Sequence, residues 1–284
     1  MKKIKLYKIK IATGNSLLAI LFVFILLSCN SNKFEEYAKL GDKYFDEGDY
    51  TKSLEYYDKA LKIKDDEAET YANRGATKNA LQDFAGAISD FNIAIELESG
   101  NPDYLVNRGF AKEKLGDIEG ALKDYNTAIR TNPKHAEALN NRGMLKRNLG
   151  RYEEAINDFN KAIDFDKEFA LAYNNRGTVK EFYKNFESAI SDYTIAIRID
   201  STNQVFYFNR AVSNFYLNNL EKSLSDLNIA ISLDSLNGYY YYNRGLVYYK
   251  LGRLQDACNE LTNAFKLGYK EAQEHINQLC GNTI

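Results

Sequence analysis

Small and large apolar residues recur at helical spacing along most of the chain, and the whole pattern repeats every 34 residues. The triplet Asn-Arg-Gly starts at Asn73, Asn107, Asn141, Asn175 and Asn243, reads Asn-Arg-Ala at Asn209 and weakens to Lys-Leu-Gly at Lys39. With the last residue of the triplet as position 8, seven blocks of 34 fill residues 34–271 without insertion. Position 8 is Gly in six blocks and Ala211 in the other; position 20 is Ala or Ser; position 27 is Ala throughout, from Ala60 to Ala264. Position 24 is large and apolar: Tyr57, Phe91, Tyr125, Phe159, Tyr193, Leu227 and Leu261. Positions 17, 20, 24 and 27 share one face of a helix. Glycine inside a helix costs ~1 kcal/mol against alanine, so its recurrence at position 8 predicts a second helix crossing too closely for a side chain. Each block therefore reads as two interlocked helices, and a fixed period of this size predicts a solenoid.

Turn signals fall between the two helices, at Gly48-Asp49, Gly116-Asp117, Gly150-Arg151 and Gly252-Arg253. Pro102 opens its block, where a helix tolerates proline, and Pro133 lies past a second helix. Position 7 is Arg in six blocks, and the same six carry Asp90, Asp124, Asp158, Asp192, Asp226 or Glu260 at position 23. A hairpin turning near position 15 sets positions 7 and 23 opposite each other, which predicts an ion pair repeated six times; two independently solvated charges are the alternative. Block 1 lacks both partners, having Leu40 and Tyr56.

The two ends read differently. Residues 1–16 carry five lysines and no acid, and Leu17–Leu27 is an apolar run broken only by Ala19. Eleven residues are too few for a bilayer span, which takes ~20, so a basic stretch followed by a short apolar one reads as an export signal. The run closes Leu26-Leu27-Ser28-Cys29. This resembles the lipobox of bacterial lipoproteins, which implies cleavage before Cys29 and lipid on that cysteine. An uncleaved anchor or an ordinary secretory signal is the alternative. At the other end, Lys270–Cys280 reads as a helix capping the last block, after a break at Leu267-Gly268-Tyr269. Cys258 and Cys280 are placed symmetrically about Tyr269, so the hairpin should set them opposite each other, as a disulfide in an exported protein or as two buried thiols. The boundaries are thus 1–28 for the signal, 29–33 for the lipidated cysteine and tether, 34–271 for the repeats, and 272–284 for the end of the cap helix and tail.

Composition narrows the chemistry. Outside residues 1–28 the chain holds 32 basic and 39 acidic residues, a formal charge of −7, which argues against a nucleic-acid partner. Only two His and three Cys leave little for a zinc site. No phosphate-cradling glycine motif is present. No enzyme activity, cofactor or metal is expected.

Gly or Ala at position 8, Ala at 20 and 27, an aromatic at 24, and Tyr37, Tyr71, Tyr173, Tyr207 and Tyr241 at position 4 resemble the tetratricopeptide repeat. The resemblance covers residues 34–271 and implies an all-α, right-handed α-solenoid of seven 34-residue helix-turn-helix repeats plus a C-terminal capping helix. It departs at Leu105 and Leu139, at the missing position-32 prolines and at the position-7 arginines. The family implies protein or peptide binding in a groove lined by positions 2, 5, 6, 9, 12 and 13. Asn73, Asn107, Asn141, Asn175, Asn209 and Asn243 occupy position 6 and resemble the asparagine ladder in the repeat half of the O-linked N-acetylglucosamine transferases. Such amides can grip a peptide backbone; bonding within the chain is the alternative. Blocks 1–4 offer a mostly acidic wall, and blocks 5–7 an apolar one that includes Phe208, Phe215, Tyr242 and Tyr249. The lysines of the family's carboxylate clamp are absent, since position 5 reads Ala38, Ala72, Val106, Asn140, Asn174, Phe208 and Tyr242. The expected protein is a lipid-anchored adaptor of the bacterial cell envelope, at the outer rather than the inner membrane. It is similar in plan to the repeat lipoproteins of outer-membrane and pilus assembly machinery. A self-associating envelope protein and a non-catalytic subunit of an envelope complex are the alternatives.

Overall fold

The computed structural model describes residues 32–281, and among these every regular element is an α-helix. The signal segment, Cys29 and the first tether residues lie outside the described residues, as do residues 282–284. The helices are α1 (residues 32–46), α2 (Tyr50–Ile63), α3 (Ala68–Ala80), α4 (Phe84–Leu97), α5 (Pro102–Lys114), α6 (Ile118–Thr131), α7 (Ala136–Asn148) and α8 (Tyr152–Phe165). Then follow α9 (Ala170–Phe182), α10 (Phe186–Ile199), α11 (Gln204–Tyr216), α12 (Leu220–Leu233), α13 (Gly238–Lys250), α14 (Leu254–Lys266) and α15 (Ala272–Cys280). From block 2 on, the first helix of each block occupies positions 1–13 and the second starts at position 17, so the period is met helix for helix. The all-helical repeat architecture expected from the sequence is the one observed. The chain divides into two compact units, Met1–Asp124 and Tyr125–Ile284.

In both units the packing rule is the one the small residues imply. A Cβ added at Gly41 would sit 2.5 Å from the Tyr57 ring, and at Gly75 3.0 Å from Phe91. In the second unit the same clash would arise at Gly143 with Phe159 (2.7 Å) and at Gly177 with Tyr193 (2.6 Å). Where position 24 shrinks to Leu227, Ala211 is accommodated, and both are buried in one cluster. The turns obey a second rule. Position 15 takes a left-handed backbone in all seven blocks, at Gly48, Gln82, Gly116, Gly150, Lys184, Asn218 and Gly252. Glycine adopts this freely, whereas Gln82 and Lys184 bear a steric cost. Asp49, Asp83 and Asn185 at position 16 then cap the second helices, each accepting from the backbone N–H three residues on.

The repeated ion pair forms in all six blocks. Arg74 and Arg108 in the first unit, and Arg142, Arg176, Arg210 and Arg244 in the second, donate through Nε and Nη2 to the position-23 carboxylate at 2.6–3.0 Å. Nη1 of each reaches back to position 25 of the preceding block: Asp58, Asn92, Asn126, Asn160, Thr194 or Asn228. In four blocks a lysine at position 11 adds a second cation; Lys146 lies 2.8 Å from Asp158. At the C-terminal end α15 packs on α14 through Ala272, Leu261 and Ala264. Cys258 and Cys280 are joined there, with Cα atoms 5.7 Å apart.

Candidate peptide-binding groove

The first helices of blocks 6 and 7 meet along a recess of about 120 Å³. Val212, Phe215 and Tyr216 of α11 face Tyr239, Asn243 and Leu246 of α13 across it, with Leu227 of α12 at its floor. Six of these seven stand at positions 2, 6, 9, 12 or 13, which are the groove positions that the family resemblance implies. Tyr216 is 62% exposed and stacks on Phe186, with ring centroids 5.0 Å apart. Tyr249 is half exposed. Farther back in the same unit, exposed Phe182 packs on Tyr152 at 4.1 Å. Side chains of this size and exposure, gathered around a recess, supply area that a partner can desolvate.

Two of the expected anchors need correction. Phe208 is only partly exposed: its ring lies 5.1 Å from Tyr239 and 5.0 Å from Tyr240 and packs against two clusters of buried residues. It belongs to the core of block 6 more than to the groove. Tyr242 is covered by the cap, with Tyr269 at 4.8 Å and His275 at 5.4 Å. Phe215 remains at the recess, half-buried, with Lys250 Nζ 4.6 Å above its ring.

The position-6 amides are less free than their spacing implies. Asn175 is buried and donates to Asn140 Oδ1 (2.9 Å), and Asn209 donates to Asn174 Oδ1 (2.8 Å). Asn243 donates to the carbonyl of Tyr239 (2.8 Å), and Asn141 Oδ1 accepts from Asn140. In the first unit Asn107 donates to the carbonyl of Asp103 (3.0 Å) and Asn73 to Asp42 Oδ1 (3.2 Å). Position 5, where Asn140 and Asn174 stand, turns half of the second unit's ladder into a brace between consecutive first helices. What remains for a ligand is the second amide proton and the carbonyl oxygen of the exposed members.

Three features escaped sequence reasoning: the position-25 acceptors, the position-11 lysines and Glu181. The first two carry the same 34-residue period and were there to be found. Glu181, at position 12 of block 5, interrupts the apolar wall. Its Oε2 accepts from Ser213 Oγ at 2.6 Å and from Tyr193 OH at 3.3 Å. Burial raises its pKa above the usual carboxylate value, and the two hydroxyl donors only partly oppose that. Burial likewise raises the pKa of Tyr193. The first unit has an acidic recess of similar volume, lined by Asp42, Phe45, Asp46, Tyr57 and Asn73. There Asp42 Oδ1 accepts from Tyr57 OH at 2.6 Å, and burial together with that carboxylate raises the phenol's pKa. Among the described residues no group of His, Cys, Asp or Glu is arranged to hold a metal, and no helix is long and apolar enough to cross a membrane.

Tetratricopeptide repeat profiles match residues 136–169, residues 41–80 and 114–148, and residues 208–265, which together span more than half of the chain. The chain belongs to the tetratricopeptide repeat family, whose members are in general non-catalytic scaffolds for protein interaction. No curated protein sequence matches it. Among solved structures it is similar to a tetratricopeptide repeat protein from Parabacteroides merdae, with 23% identity, a TM-score of 0.63, and coverage of 88% of this chain and 100% of that one. Pseudomonas aeruginosa pilF matches with 16% identity and a TM-score of 0.67 over 74% of this chain and 97% of its own. YrrB, described as a TPR protein with an unusual peptide-binding site, matches with 20% identity and a TM-score of 0.55 over 66% of this chain and 98% of its own. At these identities the likeness is one of fold.

Proposed function

We propose that this chain is a lipid-anchored adaptor of the bacterial cell envelope that holds an extended peptide or protein segment against α11 and α13. The observation that carries the reading is the recess between Tyr216 and Leu246, built from groove positions and rimmed by exposed aromatic rings. Desolvating such rings supplies most of the affinity of a small interface, whereas each neutral hydrogen bond adds only ~1 kcal/mol net. The remaining amide valences of Asn209 and Asn243 would fix register rather than strength. The anchor rests on the layout that ends at Ser28-Cys29. With α1 beginning at residue 32, the tether is only Asn30 and Ser31 and reaches at most ~7 Å, which would keep the repeats close to the membrane surface. Two or more acyl chains, at ~0.8 kcal/mol per buried CH₂, hold a protein there stably.

The test starts from affinity purification of the full chain from membranes, with the partner identified by mass spectrometry. Tyr216→Ala and Leu246→Asp should each lower recovery of that partner at least tenfold without lowering the melting temperature. Phe208→Ala should instead destabilise the fold. Cys29→Ala should abolish lipid labelling. Recovery unaffected by both groove substitutions would overturn the groove. A stable dimer by light scattering, lost with Tyr216→Ala, would replace the adaptor with the self-associating alternative.

A further inference from the structure

Buried carboxylates in the second unit follow one rule. Asp158, Asp192 and Asp226 are each almost fully buried, and each faces an arginine at hydrogen-bond distance. Glu260 faces Arg244 in the same way. Glu181, only partly buried, has no such partner. It is held between α9, α10 and α11, and no cation of the described chain lies within ion-pair distance of it. Lys180, its neighbour in sequence, is committed to Asp192 at 2.7 Å. Arg147, the groove cation one block earlier, donates instead to Thr178 Oγ1 (3.1 Å) and Asn148 Oδ1 (3.3 Å).

The geometry of the carboxylate is one-sided. Both of its donors, Ser213 and Tyr193, bond to Oε2. Oε1 accepts no hydrogen bond from the chain, yet it is not sealed from solvent as the orphan Asn79 Oδ1 is. Oε2 is fixed by the two hydroxyls, while Oε1 stays open to solvent and to a donor from outside the chain. Its place is informative as well. Ser213, which fixes it, is the immediate neighbour of Val212, which lines the apolar recess. Glu181 also stands at position 12, the groove position that Phe215 holds at the recess one block later.

We infer that Glu181 Oε1 receives a lysine or arginine side chain of the bound segment, so that the groove selects a basic residue close to an apolar one. This rests on the groove reading above and sharpens it. The charge-assisted bond would form where the carboxylate is already partly dehydrated and its rotamer already held, the conditions under which such a pair gains most. The same carboxylate rejects acidic segments, through which the groove acquires specificity as well as strength.

The experiment uses the full chain in detergent and capped pentapeptides Ser-Lys-Ser-Phe-Ser and Ser-Phe-Ser-Lys-Ser, each with norleucine or glutamate in place of lysine. Binding is read by isothermal titration calorimetry. In at least one order the lysine peptide should bind tenfold or more tightly than its norleucine counterpart, with the glutamate peptide weakest. E181Q, whose amide oxygen can still accept from both hydroxyls, should remove the preference for lysine over norleucine. Equal affinity for lysine and norleucine peptides in the wild type overturns the inference. If norleucine binding is still lost in L246D, the groove reading survives that failure. No binding by any peptide overturns both.

Discussion

Arg142 and Asp158 allow the repeated ion pair to be measured. Asp158 has no exposed side-chain surface and is held by Arg142 at 2.6 and 2.8 Å and by Lys146 at 2.8 Å. Arg142→Leu leaves the carboxylate one cation, so part of the penalty for a broken buried pair, ~3–5 kcal/mol, is avoided. Asp158→Leu leaves two partly buried cations facing each other. The double variant removes the carboxylate and one of its two cations, so it should cost less than the sum of the singles by about 2 kcal/mol. Block 6 provides the internal comparison. Asp226 has Arg210 and no lysine, because position 11 there is Asn214. Arg210→Leu therefore strands a buried carboxylate entirely and should cost at least ~1 kcal/mol more than Arg142→Leu. Urea denaturation of the full chain, followed by helical circular dichroism, gives all five free energies. A coupling within about 0.3 kcal/mol of zero, or an Arg210→Leu variant no weaker than Arg142→Leu, would refute the network as the reason for the recurrence.

Lys184→Gly should stabilise the chain by up to about 1 kcal/mol in the same assay, because the left-handed backbone at that turn penalises a side chain more than glycine's entropy costs. Glu181→Gln should raise the melting temperature at neutral pH. An acid whose folded pKa is raised holds its proton longer in the fold, so its contribution is lost as pH rises through the unfolded and then the folded value. The gain should shrink toward zero below about pH 4, and a pH-independent gain would contradict the assignment. Thiol titration of the non-reduced chain under denaturant should find Cys258 and Cys280 unreactive. Reduction should cost about 3 kcal/mol, given a sequence separation of 22.

The fold was legible because a solenoid writes its packing into a period: Gly143 beneath Phe159 is the same statement as Gly177 beneath Tyr193. The ion pairs were legible for the same reason. The groove was only partly so. Position number says which side of a helix a residue occupies but not how deep its neighbours lie, so Phe208 and Tyr249 look alike until Tyr239 and Tyr240 close over the first. Asn175 looks free until Asn140, at a position that varies from block to block, takes its amide. Glu181 was passed over because its neighbours in blocks 5–7 are apolar, although Glu113 stands at the same position in block 3.

Each position-7 arginine contacts residues sixteen places away in both directions, as Arg74 does with Asp58 and Asp90. That symmetry bears on how the length of such a chain can change. One residue inserted in the loop before the arginine displaces the arm to position 25, and one inserted in the loop after it displaces the carboxylate at position 23. Duplicating or excising a whole block of 34 puts an equivalent residue at both ends of every arm. Genetic change at this locus should therefore be tolerated in multiples of the period and purged otherwise, and the arginines act as the proofreaders of register.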